Sequence, residues 1–137
     1  MLEIHKLVGG YGHGPVVQGV DMRVERGETV ALLGPNGAGK STLLAALSGT
    51  LPQRSGSIRI DGDEMIAMPS HAIVGRGVVQ VPEGRRMFAP LSVRDNLRLG
   101  TVRLAGRSAR TERERFDFVY QLFPRLAERR HQLAGTL

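Results

Sequence analysis

The 137 residues contain no cysteine, so neither a disulfide framework nor a thiolate metal site can be built from them. Aromatic residues make up only 4%, which leaves too few flat side chains for a base-stacking platform and argues against nucleic acid as a partner. Long apolar runs are missing as well. Stretches such as Val30 to Leu33 are far too short to cross a bilayer. The N-terminus, Met1-Leu2-Glu3-Ile4-His5-Lys6, is charged almost at once and lacks the apolar segment of a signal peptide. The chain is therefore expected to be soluble, with any membrane role depending on a partner. Hydrophobic residues at 41% and charged residues at 23% suit one core rather than two.

The net charge of +6 is unevenly distributed. Residues 1 to 69 hold six Lys/Arg against seven Asp/Glu, whereas residues 70 to 137 hold thirteen Arg against six Asp/Glu. Three readings of the basic second half stay open: solvated helix faces, a contact surface for an acidic or membrane-proximal partner, or nucleic acid, for which the few aromatics give little stacking support.

Period-two alternation of Leu2 and Ile4, then of Val20, Met22 and Val24, predicts half-buried strands in the first 25 residues, with Gly9, Gly10, Gly12 and Gly14 breaking the chain between them. From Thr29 the pattern becomes a continuous apolar run, Val30-Ala31-Leu32-Leu33, which predicts a strand buried on both faces of a parallel sheet. A helix is predicted over Lys40 to Ser48, where Leu43, Leu44 and Leu47 share a face. Ser57 to Ile60 reads as a short strand ended by an Asp61-Gly62 turn, and Val78 to Val81 as a second buried strand stopped at Pro82. Ser92 with Asp95, and Thr111 with Glu114, fit helix capping. Phe116, Val119, Tyr120 and Phe123 then line one face of a helix that Pro124 ends, a face expected to be core. Leu104 to Arg110 is the best candidate for a flexible surface connection.

Chemistry concentrates in Gly34-Pro35-Asn36-Gly37-Ala38-Gly39-Lys40-Ser41-Thr42, which matches G-x-x-x-x-G-K-[S/T] between an apolar run and an amphipathic helix. Glycines let consecutive backbone N–H groups turn toward phosphates, and the helix that follows adds the partial positive charge of its N-terminus. Lys40 would reach the β- and γ-phosphates of ATP, and the Ser41 hydroxyl would ligate Mg2+.

These residues resemble the GPNGAGKST form of the loop in ABC ATPases. Tyr11-Gly12 is similar to the position at which such domains stack adenine, a contact suited to a flat aromatic face; a turn residue is the other reading of Tyr11. Val81-Pro82-Glu83-Gly84-Arg85-Arg86-Met87-Phe88, followed by Leu91-Ser92-Val93-Arg94-Asp95-Asn96-Leu97, narrows the likeness. Most ABC domains have Gln where Glu83 stands, and Glu within this segment resembles the ATPases of branched-chain amino-acid importers. Glu83 keeps an oxygen ligand for a hard cation while adding charge beside the γ-phosphate. Gln80 is a rival metal ligand, although its place in an apolar run suits a structural role. Leu122-Phe123-Pro124-Arg125-Leu126 and Glu128-Arg129-Arg130 resemble the same subclass.

The resemblance runs from Leu2 to Leu137. It implies an α/β fold, the P-loop NTPase core of an ABC ATPase, with an N-terminal antiparallel β subdomain and the start of a helical subdomain, incomplete. Residues 1–90 would be the core, with phosphate loop and Glu83 region, and 91–137 part of the helical subdomain. ABC ATPases continue with a signature motif, a strand ending in Asp-Glu that places the general base, and a switch histidine. None of these occurs here, and Leu137 resembles the first letter of the signature, so no catalytic base is assigned. The resemblance also implies partners: membrane permease subunits, a second ATPase subunit in a head-to-tail dimer, and indirectly a substrate-binding protein. Its place would be cytoplasmic, peripheral on the inner face of the cell membrane. An ABC-type ATPase of DNA repair or translation, or a non-functional gene fragment, are the alternatives.

Overall fold

In the computed structural model, which describes residues 1–84, 86–101 and 111–137, the chain divides into two compact units, Met1–Gln80 and Val81–Leu137. The first is built on a four-stranded sheet of order β2-β1-β3-β4, antiparallel throughout, from β1 (Leu2–Gly10), β2 (Pro15–Val24), β3 (Gln53–Ile60) and β4 (Asp63–Glu64). Simple alternation along β1 would send Ile4 and Leu7 to opposite faces, yet both are buried. A bulge reconciles them. Lys6 takes a φ of 44°, and the pairing register shifts between Ile4 and Leu7 on the β2 side and between His5 and Val8 on the β3 side. Gly56 stands against this bulge: with φ at 100°, a methyl on it would come within 2.5 Å of the Lys6 carbonyl oxygen.

Helices α1 (Lys40–Leu47) and α2 (Ser70–Gly75) complete the core. Leu43 and Ala46 of α1, and Ile73 of α2, join Ile4, Leu7, Val17, Leu51, Ile58 and Met65. Asp61 and Gly62, with φ of 49° and 90°, make the expected two-residue turn between β3 and β4. Arg54 ties β3 to the chain leading into α2, donating to the carbonyls of Ile66 at 2.7 Å, Leu51 at 3.2 Å and Met68 at 2.5 Å.

Two expected strands do not form. Neither Val30–Leu33 nor Val78–Val81 enters a ladder, and Leu33, Val79 and Val81 are 92%, 75% and 90% exposed. An apolar run signals burial within a sheet but not where the neighbouring strands come from, and every strand among the described residues pairs antiparallel, within Leu2 to Glu64.

The second unit holds α3 (Val93–Thr101), α4 (Glu112–Leu122), α5 (Pro124–Glu128) and a 3-10 turn at Ala134–Thr136. Both expected caps are present. The Ser92 hydroxyl accepts from Asp95 N–H at 3.1 Å, while Thr111 and Glu114 exchange bonds of 3.3 and 2.6 Å in a full capping box. Pro124 ends α4 and also opens α5, where its missing N–H costs nothing. Phe116 and Tyr120 meet one turn apart as tilted rings with centroids 5.8 Å apart, but α4 has no fully buried residue, and Phe123 is exposed rather than core. The candidate connection at Leu104 to Arg110 lies outside the described residues. Among the described residues no helix is long and apolar enough to cross a membrane.

Glu64 gives the fold a pH signature. Partial burial alone would raise its carboxyl, but hydrogen bonds from the Ser57 hydroxyl and the N–H groups of Ile58, Ile66 and Met65 outweigh that and hold the pKa down to about 2, from 4.5. A depressed carboxylate stabilises the fold above its unfolded value and loses that contribution as pH falls through its folded value. We therefore expect Glu64→Gln to be less stable than the native chain at neutral pH and to have a flatter stability profile between about 4.5 and about 2. Denaturant melts across that window would show parallel profiles if the carboxylate were irrelevant.

Candidate functional site

The glycine-rich segment lies at the mouth of α1. Gly37 and Gly39 take φ of 85° and 90°, a region that disfavours any side chain, and Ala38 N–H bonds back to Pro35 O at 3.2 Å to close the turn between them. Gly39 caps α1 in a left-handed conformation, and no side chain caps the helix. The first intrahelical bond is Leu43 N–H to Gly39 O at 2.8 Å, so the N–H groups ahead of it face out of the helix end. Lys40, the first helical residue, folds back across the turn, and its Nζ donates to Gly34 O and Pro35 O at 2.7 Å each. One concave surface thus carries backbone donors and an ammonium group, an arrangement suited to an anion.

Other elements fix this turn from behind. Thr42 and Leu43 are buried against the sheet, while Ser41 is exposed and engages no side-chain partner among the described residues. At the start of β2, a methyl built on Gly39 would meet Val16 O and Val17 Cγ2 at 3.5 Å. A cleft of about 310 Å³ follows, lined by Val16, Val20, Leu33, Gly39, Lys40 and Leu43 among others. Sequence reading missed Val16 and Val17 here, because nothing in their spacing marks them as more than strand residues.

Gly34, Pro35, Asn36, Gly37, Ala38, Gly39, Lys40, Ser41 and Thr42 are therefore brought together as one turn and one helix start. The helix leaving the turn forms as expected, whereas the segment entering it is extended without a ladder partner. Tyr11 sits in the turn between β1 and β2, 55% exposed. Glu83 belongs to the second unit, in an exposed bend, and the exposed Gln80 ends the first. Among the described residues no group of three or more His, Cys, Asp or Glu could hold a metal ion by itself.

The ammonium brace makes a testable demand on the loop. Lys40→Met removes both bonds from Nζ, and we expect the Ala38 amide, which closes the turn onto Pro35, to open more readily by about 1–2 kcal/mol, read by hydrogen exchange without nucleotide. Unchanged exchange would show that the turn holds its shape without the lysine.

Comparison with known proteins adds independent findings. A family model described as ABC transporter matches residues 17–136. The chain is 42% identical over its whole length to the high-affinity branched-chain amino acid transport ATP-binding protein BraG of Pseudomonas aeruginosa, and spans 58% of that protein. It is 31% identical, again over its whole length, to the probable branched-chain amino acid transport ATP-binding protein LivF of Archaeoglobus fulgidus, spanning 57% of it. Among solved structures, an ATP-binding subunit of an ABC transporter superposes with a TM-score of 0.80 at 32% identity, over 97% of this chain and 54% of that one. A nucleotide-free ATP-binding cassette has the same fold, with a TM-score of 0.77 at 22% identity over all of this chain and 58% of that one.

Proposed function

The chain belongs to the ABC transporter family, and from that membership we propose that it is the phosphate-holding part of an ATPase subunit driving uptake of branched-chain or related amino acids across the cytoplasmic membrane. The observation that carries this reading is the Lys40 ammonium held across the glycine turn at the uncapped N-terminus of α1. The names of the Pseudomonas and Archaeoglobus relatives support the solute class.

In this reading the backbone of Gly34 to Gly39 and the first turn of α1 cradle the ATP phosphates. Lys40 exchanges its two carbonyl partners for β- and γ-phosphate oxygens, which carry full charge and make stronger bonds. Tyr11 supplies an aromatic face for adenine. Mg2+ neutralises phosphate charge when bound. Ser41 fits it, because its hydroxyl is an exposed hard oxygen donor at the helix mouth, and Glu83 would be a second ligand. Hydrolysis of the γ-phosphoryl is chiefly positioning and charge neutralisation. The group that orients the attacking water would come from outside these 137 residues, which span little more than half of the relatives' length. Residues 1–90 would act as the core and 91–137 as part of a helical subdomain. The partners would be permease subunits, a second ATPase subunit packed head to tail, and indirectly a substrate-binding protein, with the protein held peripherally on the cytoplasmic face and no nucleic acid involved.

Thermal-shift titration with ATP and Mg2+ tests the central claim. Saturation at about 100 times Kd should stabilise the first unit by about 2.7 kcal/mol. Lys40→Ala should weaken binding by about tenfold or more. Ser41→Ala should leave ATP binding largely insensitive to Mg2+. No shift with any nucleotide would overturn the reading, and steady-state hydrolysis by the pure 137-residue chain would refute the external placement of the water-orienting group.

A further inference from the structure

Two asparagines occur in the chain, and the fold treats them in opposite ways. Asn96 is held. Its Oδ1 accepts Phe88 N–H at 2.8 Å, and its Nδ2 donates to Phe88 O and Ser92 O at 3.0 Å each and to Leu91 O at 3.4 Å. The strip it grips is bonded again from the other side, by Gly135 N–H to Ala89 O at 3.1 Å and Ala134 N–H to Leu91 O at 2.9 Å. Leu97 follows inside α3, where a branched side chain and a helical backbone keep the next amide nitrogen away from the carboxamide. Asn36 has none of this restraint. It is exposed in the glycine turn, and its carboxamide makes no hydrogen bond among the described residues. Gly37 comes next, and the peptide unit between them is unbonded at both ends: neither Asn36 O nor Gly37 N–H has a partner among the described residues. The turn closes over that unit through Ala38 N–H to Pro35 O at 3.2 Å. With nothing within 4 Å of where a side chain on Gly37 would lie, the unit is free to rotate.

A free carboxamide beside an unhindered amide nitrogen is an electrophile beside a nucleophile. Gly37 N gives its proton to water and attacks Asn36 Cγ; the N–Cγ bond forms, the Cγ–Nδ2 bond breaks, and ammonia leaves. Water then opens the cyclic imide. Opening at Cγ yields aspartate, whereas opening at the main-chain carbonyl of residue 36 yields isoaspartate, whose backbone runs through the former side chain and is longer by one carbon. The sum is amide plus water going to acid plus ammonia, with no oxidant or reductant. Negative charge builds on the attacked oxygen, and Lys40 Nζ, bonded to the carbonyl of Pro35 at 2.7 Å, brings a cation to the same turn. The positive lining that suits the loop to phosphate thus also suits this ring closure. The Asp61-Gly62 pair is not equivalent: the N-terminal amine at 2.7 Å and Arg26 at 3.1 Å hold the Asp61 carboxyl below its ordinary pKa, and an ionised carboxylate resists attack.

We propose that Asn36-Gly37 is a self-modifying site: in the empty loop Asn36 deamidates through Gly37 to aspartate or isoaspartate, which places a carboxylate in the anion cradle and ends phosphate binding. The new carboxylate is ionised at neutral pH and repels an anionic guest. Bound nucleotide opposes the reaction, because its phosphates draw the Gly37 N–H into a bond and hold the peptide unit still. The effects on and of nucleotide rest on the function proposed above; the deamidation itself does not.

The test incubates the native chain in mildly alkaline buffer, empty or with ATP and Mg2+, and samples it over time by peptide mapping for the amide-to-acid mass change and by enzymatic methylation of isoaspartate. Asn36 in the folded chain should convert within about threefold of its rate in denaturant, whereas Asn96 should be about tenfold or more slower folded than unfolded. ATP affinity should fall in step with the Asn36 that remains, and ATP with Mg2+ should slow the conversion by about fivefold or more. Asn36→Asp should bind ATP about tenfold more weakly from the outset. Asn36→Ala, whatever its starting affinity, should keep that value throughout the incubation. A folded chain that retains Asn36 while the denatured chain converts it overturns the proposal. So does conversion with undiminished ATP affinity, native affinity in Asn36→Asp, an equal decline in Asn36→Ala, or conversion at one rate with and without ATP. Failure of the fresh chain to bind ATP would sink the proposed function, while the rate at Asn36 against that at Asn96 would still decide whether the turn modifies itself.

Discussion

Everything in the first unit depends on β1 pairing along both of its edges at once. Between β2 and β3 its backbone groups are consumed on either side, and the bulge at Lys6 lets Ile4 and Leu7 enter the same core despite their odd spacing. That core is the floor on which Leu43 and Ala46 seat α1. Because Thr42 and Leu43 are buried, the helix cannot rotate freely about its axis, so the direction in which Lys40 and Ser41 face is set by packing beneath them. The glycine turn adds the local conformation. Sheet, helix and turn together convert a nine-residue motif into a concave surface with a positive lining.

Much of this could be read in advance, for identifiable reasons. The hairpin strands show alternation because one face of an antiparallel sheet is covered and the other wet. The Asp61-Gly62 turn and the Thr111-Glu114 capping box were legible because each is a local bond pattern with its own residue chemistry. The phosphate loop was the clearest, since its glycines, lysine and hydroxyl each have a separate physical reason to be there.

What sequence could not show depends on distant partners. Val30–Leu33 and Val78–Val81 carry the composition of buried strands, yet a ladder needs a neighbour, and a single segment does not say who provides it. The apolar stripe of α4 reads as core, but helical spacing marks only which side chains share a face, not what covers it; Phe123 remains in solvent. Val16 and Val17 reached the loop through β2, and Asn96 gripped Phe88 across eight residues, neither with a periodic signal. Glu83 owes its place among the candidate metal ligands to the resemblance, since no periodic or capping pattern marks it.

The stretch Ala89–Arg94 and the stretch Arg130–Gly135 are stitched by Val93 N–H to Gln132 O, Arg94 N–H to Arg130 O, Ala134 N–H to Leu91 O and Gly135 N–H to Ala89 O. Such stitching counts residues. Adding or deleting a single position in either strip would slide the donors of one past the acceptors of the other, breaking several pairings together, whereas a change of side chain leaves them untouched. Drift in this part of the molecule is thus channelled into substitution: its lettering is free to vary while its length is not.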